Sequence, residues 1–495
     1  MTKVNTSLIV GLTFVATLGG LLFGYDTAVI SGAVSSIDAY FITPQHLSET
    51  AASSWSGWTI SCATFGCVLG AALAGWLSNS LGRKGGMIVA ALLFLVGSIG
   101  SAIPELGLGS IGHMGPAALW PFILYRILGG VGVGVASMLS PLYIAEISPS
   151  AIRGRLVSFN QLAIVGGMLI VYFVNWYIAA QGDDAWLKAT GWRLMLASEA
   201  IPSLLFLTLL MFVPDTPRWF VLRGQNERAL QALRRITDEA DARTIVTEIE
   251  NTLKTPTLPL FSFGTAVVVV GILLSVFQQF VGINAVLYYA PLMFGNLGAS
   301  TDSAMLQTIV VGAANTIFTV IAILTVDRWG RRPLLIVGAL IMGVAMIVLG
   351  CLFYAKASGI APLIAILTYI AGFALSWGPV VWVLLSEMFP NAIKGKAMAI
   401  AVAAQWIANL FVSWTFKILI GSSALNALFN HGFPYWIYGA MSLLAAFLVA
   451  RYVPETKGKT LEAIQDLWRP GSARLPASAG TLEDVAMAGK AKWPG

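Results

Sequence analysis

The chain has 495 residues, 57% of them apolar and only 11% charged, with a net charge of +6. A soluble domain is roughly one-quarter charged, so the composition excludes a water-soluble globular protein. The small positive excess forms no basic, aromatic-interleaved stripe, which excludes nucleic acid as a partner.

Crossing about 30 Å of hydrocarbon takes about 20 helical residues. Twelve such runs are predicted, near residues 7–32, 56–77, 86–104, 120–144, 158–179, 194–213, 264–291, 304–326, 334–354, 361–385, 397–420 and 434–453. The first is too long for a signal-peptide core, contains Asp26 and lacks a small-residue cleavage site, so it is read as an uncleaved span. Residues 215–262 are polar. There Glu227 to Arg235 carries apolar residues at helical spacing between charges, which predicts amphipathic linker helices on the cytoplasmic face. The expected organisation is a bundle over 1–214, the linker over 215–262, a second bundle over 263–455 and a cytoplasmic tail over 456–495. Its Ala-, Gly- and Pro-rich end after Arg469 is expected to be disordered.

Lys and Arg cluster in the loops after the even-numbered spans: Arg83, Lys84, Arg153, Arg155, Arg218, Arg328, Arg331, Arg332, Lys394 and Lys396, with more along the linker. The alternate loops hold little beyond Lys188, Arg193 and Lys356. Basic loops stay in the cytoplasm, so both termini are expected on the cytoplasmic side. Cys62, Cys67 and Cys351 fall within spans without ligand spacing and are expected to be buried small apolar residues, while His46, His113 and His431 are scattered in outer loops; no metal site is expected.

Three charged motifs occur twice, about 250 residues apart. Gly82-Arg83-Lys84 matches Asp327-Arg328-Trp329-Gly330-Arg331-Arg332, Glu146 with Arg153-Gly154 matches Glu387 with Lys394-Gly395, and Pro214-Asp215-Thr216 matches Pro454-Glu455-Thr456. Such pairing implies duplication of a membrane unit, the arrangement by which transporters place a site between two moving halves. No nucleophile, metal or acid–base constellation of an enzyme is present.

A charge at the bilayer centre costs about 2.5–3.5 kcal/mol on insertion scales, so Asp26, Arg126 and Glu199, in the first, fourth and sixth spans, must face protein or a cavity. An Asp beside an Arg holds a proton less tightly than one that has lost the Arg or its water. A motion that changes their separation would load and release a proton. A permanent packing ion pair is the alternative. Neutral amides suit a ring of hydroxyls because they donate and accept, and aromatic faces suit the C–H surface between. Gln161, Gln278, Gln279, Asn284, Asn315 and Gln405 lie in the spans, with Trp382 and Trp406, although any one amide can instead bind a neighbouring helix. Pro379 after Ser376-Trp377-Gly378 breaks the tenth helix on any reading.

Five motifs in order resemble the sugar porters of the major facilitator superfamily, across nearly the whole chain: Gly19-Gly20-Leu21-Leu22-Phe23-Gly24-Tyr25-Asp26, Arg126 with Gly129, Gly130, Gly132 and Gly134, Pro214 to Trp219, Gln278 to Asn284, and Pro454 to Gly458. The likeness is greatest to the bacterial branch that carries D-xylose with a proton. The resemblance implies an all-α membrane protein of twelve helices in two pseudo-symmetric six-helix bundles, working as a monomer by alternating access, with no cofactor beyond the transported proton. It implies sugar hydrogen bonds from Gln161, Gln278, Gln279, Asn284, Trp382 and Gln405, with Asn315 close by. It also implies an aromatic lining of Phe23, Tyr288 and Trp406, a bend at Gly378, and Asp26 as proton acceptor modulated by Arg126, with Glu199 as a further partner. At the cytoplasmic ends, Arg83, Glu146, Arg153, Arg331, Glu387 and Lys394 are expected to make ion pairs between the halves that close the inside. Departures from the pattern are Asn79-Ser80 where an Asp and an Arg are usual, Lys394 in place of an Arg, and Met168 where the xylose carriers have a Gln near the sugar. D-xylose is the first substrate expected, with D-glucose second; a passive uniporter or a non-translocating sensor remains the alternative.

Overall fold

The computed structural model describes residues 5–149, 152–254, 258–357, 359–390 and 392–457. The end after Arg469, expected to be disordered, lies outside them. The described residues include twelve helices long and apolar enough to cross a membrane: α1 Thr6–Gly32, α2 Glu49–Ser80, α3 Gly82–Ala102, α4 Gly115–Ile147, α5 Arg153–Ala179, α6 Asp184–Leu210, α7 Thr265–Asn296, α8 Thr301–Val326, α9 Arg331–Tyr354, α10 Ile360–Met388, α11 Lys394–Gly421 and α12 Phe433–Tyr452. Each contains most of its predicted run. Most overshoot at the ends because the helical backbone continues through polar turns that hydropathy does not register, while α3, α6 and α12 stop short of the C-terminal ends of their runs. The α6 helix starts well before its apolar run, where the Asp183 carboxylate accepts from Trp186 N at 2.8 Å and caps it.

Ile201, Leu324, Val344 and Phe447 lie exposed on the outer helix faces, as lipid-facing residues do. Small residues bring the helices together inside. A Cβ on Gly130 of α4 would stand 1.9 Å from Ala63 O on α2, so only glycine permits that crossing. The first six helices pack mainly on each other, as do the last six, and the halves meet chiefly along α2 with α11 and α5 with α8. Between α6 and α7 the amphipathic segments Pro217–Leu222, Asn226–Arg234 and Glu239–Lys254 close over a separate small core of Val221, Ala229, Leu230, Leu233, Ala242 and Val246.

Several spans are interrupted near their middles. The α7 helix stops at Phe280, passes Gly282 at φ 94° and restarts at Ile283. The α10 helix breaks at Ser376 (φ −134°, ψ −83°), one residue before the tryptophan that precedes Gly378. Proline supplies the cause in α10, because Pro379 has no N–H for the carbonyl of Leu375. In α7, Pro291 likewise frees the carbonyl of Leu287, and Tyr172 of the opposite half donates to it at 3.0 Å. A backbone acceptor created by sequence thus becomes a tie between the halves.

Two expectations are corrected. Cys62 and Cys67 are buried, but Cys351 is exposed on α9, where a small apolar residue can face lipid as well as core. Arg193 sits within α6 and is buried, its Nη1 and Nη2 meeting Glu105 at 2.9 and 2.6 Å. That pairing extends the helix past the predicted loop.

Candidate functional site

Asp26, on α1, and Arg126, on α4, form a buried ion pair with Nη1 to Oδ1 at 2.8 Å, and Arg126 Nη2 reaches Asp26 O at 3.4 Å. Glu199, on α6, is buried within electrostatic range of both. The sequence placed these groups on three helices of one half, and the fold brings them together. Their hydrogen bonding is unfinished: Asp26 Oδ2, Arg126 Nε and Glu199 Oε1 are buried without a protein partner. Two carboxyl groups and one guanidinium leave a position where a proton can reside without a net second negative charge. A small cavity lined by Asp26, Thr27, Thr64, Cys67, Arg126 and Tyr288 adjoins the pair and reaches the second half through Tyr288.

The amides gather around the broken helices. Gln278 Nε2 donates to Trp377 O at 2.8 Å and to Gly378 O at 3.3 Å, so it binds the α10 break and leaves its own Oε1 unspent. Asn284 Nδ2 donates to Gln279 Oε1 at 2.6 Å across the α7 break. On α11, Gln405 Oε1 and Trp406 Nε1 are buried and unpartnered, and the Trp406 ring lies 5.4 Å from that of Phe23 in the opposite half. Tyr288 OH accepts from Asn409 Nδ2 at 3.4 Å. Trp382 packs on an apolar cluster drawn mostly from the first half, with Val402 and Trp406 of the second. Gln161, half-buried on α5, and Asn315, buried on α8, belong to the two helices that pack across the interface, whereas Met168 contributes an apolar, buried position. Buried polar atoms left over on several helices are what a polyhydroxylated ligand would satisfy.

At the basic face the two halves repeat one construction. Arg83 grips Glu146 with Nε at 2.8 Å and Nη2 at 2.7 Å, while Thr216 Oγ1 donates to the same carboxylate at 2.6 Å. In the second half Arg331 Nη2 meets Glu387 at 2.8 Å and Thr456 Oγ1 donates to it at 2.6 Å. The expected pairing between halves is therefore not the one held here, since each of these arginines grips the glutamate of its own half. Arg153 Nη2 donates to Ser148 O at 3.3 Å, and Lys394 lies within electrostatic range of Glu387. Among the described residues the direct polar links between the halves sit at mid-depth and at the opposite face, including Trp176 Nε1 to Asp302 (2.8 Å), Trp414 Nε1 to Ser54 O (2.9 Å) and Lys417 Nζ to Asp38 (2.8 Å). The molecule is held closed at that face.

The model of the family described as sugar (and other) transporter matches residues 12–468. The chain belongs to this family. It is a multi-pass membrane transporter, not an enzyme. The transporter is 55% identical to the D-xylose-proton symporter of Escherichia coli K12 over 487 residues, covering 97% of this chain and 99% of the relative. It is 48% identical to the glucose facilitated diffusion protein of Zymomonas mobilis over 469 residues, covering 94% and 98%. Among solved structures, the inward open conformation of the xylose transporter XylE from E. coli superposes with a TM-score of 0.85 at 53% identity, covering 93% of this chain and all of that one. The fold is accordingly that of the major facilitator superfamily.

Sequence reading missed partners of the transporter's charged groups. Asp215 and Glu455 were seen only as repeats, yet each caps a helix of the basic face: Asp215 Oδ1 accepts from Arg83 N (3.0 Å) at the start of α3, and Glu455 accepts from Arg331 N (3.1 Å) and Arg332 N (3.0 Å) at the start of α9. Gly82 and Gly330, at φ 84° and 86°, turn the chain into those helices. The signal was available, because both acids recur at the same place in each half. Asp38 and Lys417 carried no such signal; they belong to different halves and to no motif.

Proposed function

We propose that this transporter imports a monosaccharide, D-xylose first and D-glucose second, together with a proton by alternating access across a bacterial inner membrane. The basic face is taken as cytoplasmic, which puts both termini inside; the interior of the cell is then the side toward which this structure is not held shut. The carrying observation is the buried Asp26–Arg126 pair with the Glu199 carboxyl within hydrogen-bond reach of Asp26. A buried charge pair on helices that bound the moving interface is a costly way to achieve packing alone. It is an effective way to make protonation depend on conformation.

In this reading the outward-facing state takes up a proton on the Asp26 and Glu199 pair and a sugar on Gln161, Gln278, Gln279, Asn284, Trp382 and Gln405, with Asn315 nearby and Phe23, Tyr288 and Trp406 against the ring. Closure at the outer face then commits both. Release of the proton inward restores the full attraction between Asp26 and Arg126. Arg83, Glu146, Arg153, Arg331, Glu387 and Lys394 form the cytoplasmic gate, with pairs inside each half in the state seen here. The likeness to a facilitated-diffusion protein supports a second reading, uniport, in which the ion pair only fixes helix packing. Asp26→Asn separates the two. Symport requires that this variant lose uphill accumulation of labelled sugar while still exchanging sugar between the two sides of a proteoliposome. Undiminished accumulation by the variant would end the proton assignment.

A further inference from the structure

The segment after α1 crosses to the opposite half at the outer face. There Asp38 receives Lys417 Nζ of α11 on Oδ2 at 2.8 Å and Ser56 Oγ of α2 on Oδ1 at 2.5 Å, which uses both carboxylate oxygens. The lysine side chain is 13% exposed and the aspartate 24%, so the pair is partly withdrawn from water and from ionic screening. Contacts of other kinds surround it. Trp414 Nε1 donates to Ser54 O at 2.9 Å, the rings of Trp58 and Trp414 meet edge to face at 5.6 Å, and the Glu49 carboxylate accepts from Ser423 N. The backbones themselves touch here, since a Cβ on Gly57 would stand 2.6 Å from Trp414 O. All of these contacts except that of Ser56 with Asp38 join the first half to the second, and a rocking motion that opens the outer mouth must break them together.

We infer that Asp38 and Lys417 form an external latch, a cross-half ion pair made only when the outer mouth is closed, which sets the balance between inward- and outward-facing states. The inference rests on the alternating-access reading but needs neither its sugar nor its proton. Lys417 lies near the outer end of α11, where its ammonium can leave the apolar phase only toward the mouth, and Asp38 is the carboxylate that meets it there. With the mouth open, both groups are solvated and the pair is lost. Its differential contribution to the two states is what shifts their ratio.

The test is external labelling of the full-length transporter in proteoliposomes by a membrane-impermeant maleimide. Ser53→Cys supplies the reporter, because Ser53 Oγ would lie 2.2 Å from a Cβ on Gly421 across the closed mouth. Cys351→Ala removes the exposed native thiol. In that background Asp38→Asn and Lys417→Gln should each raise the labelling rate about fivefold, the order expected for a partly buried pair, and the double variant should label no faster than either single one. Asp38→Lys with Lys417→Asp should return the rate toward that of the parent. Unchanged rates in both single variants, or additive rates in the double one, would overturn the latch. If the swapped pair alone misfolds, shown by a lowered thermal unfolding midpoint, the comparison of single and double variants still decides. Failure of proton-driven uptake would refute the proposed function and leave the latch standing.

Discussion

The two gate glutamates look equivalent in sequence but are not equivalent in place, and replacing each by glutamine should reveal it. Glu146 takes two hydrogen bonds from Arg83 and one from Thr216, with Arg218 at 3.9 Å, and the side chains of the Arg83–Glu146 pair are 6% and 8% exposed. Breaking so buried a pair strands a guanidinium away from water and costs about 3–5 kcal/mol. Glu387 takes one hydrogen bond from Arg331 and one from Thr456, and the side chains of the Arg331–Glu387 pair are 11% and 25% exposed. Water reaches the glutamate side of that pair, which places its cost below the buried range, between it and the exposed limit of about 1 kcal/mol. Glu146→Gln should therefore lower the thermal unfolding midpoint of the purified protein clearly more than Glu387→Gln, read by tryptophan fluorescence in one detergent. Equal shifts, or a larger one for Glu387→Gln, would refute the burial reasoning.

Other consequences are open to measurement. Met168→Gln adds a donor and acceptor to an apolar wall, so the ratio of D-xylose to D-glucose uptake should change by several-fold; an unchanged ratio in competition assays would remove this position from the sugar site. In the linker, hydrogen bonds from Arg234 and then Arg243 hold the exposed Glu239 carboxyl at about 2. Because its folded value lies below the unfolded one of about 4.3, its contribution is present above that pH and fades as pH falls toward 2. Hydrogen exchange of Glu239–Lys254 should consequently be flat from pH 7 to 5, after correction for the intrinsic rate, and Glu239→Gln should speed it there. An unchanged exchange rate in the variant would mean the pairs do not hold the helix.

Much of this architecture was legible because lipid imposes simple rules. Long apolar runs must be helices, and the two copies of the charged motifs mark equivalent helix ends. Asp26, Arg126 and Glu199 were legible for the same reason, since a charge inside a span needs company. What escaped was which partner each charge chooses. Arg83 and Glu146 are separated by two whole spans, and nothing in their spacing says that each half pairs internally at the basic face. The break of α7 at Gly282 escaped too, because glycine is common in membrane helices, whereas Pro379 announced the one in α10. Lys417 was hidden inside an apolar run and Asp38 in an unremarkable outer segment, and only the folded chain shows them in contact.

Uptake of labelled D-xylose into proteoliposomes, with and without an imposed inward proton gradient, tests the central claim most directly. Symport predicts accumulation above the external concentration only when the gradient is present, and none with Asp26→Asn under the same gradient. Equilibration to the external concentration regardless of the gradient would contradict it and make the Asp26–Arg126 pair a structural one.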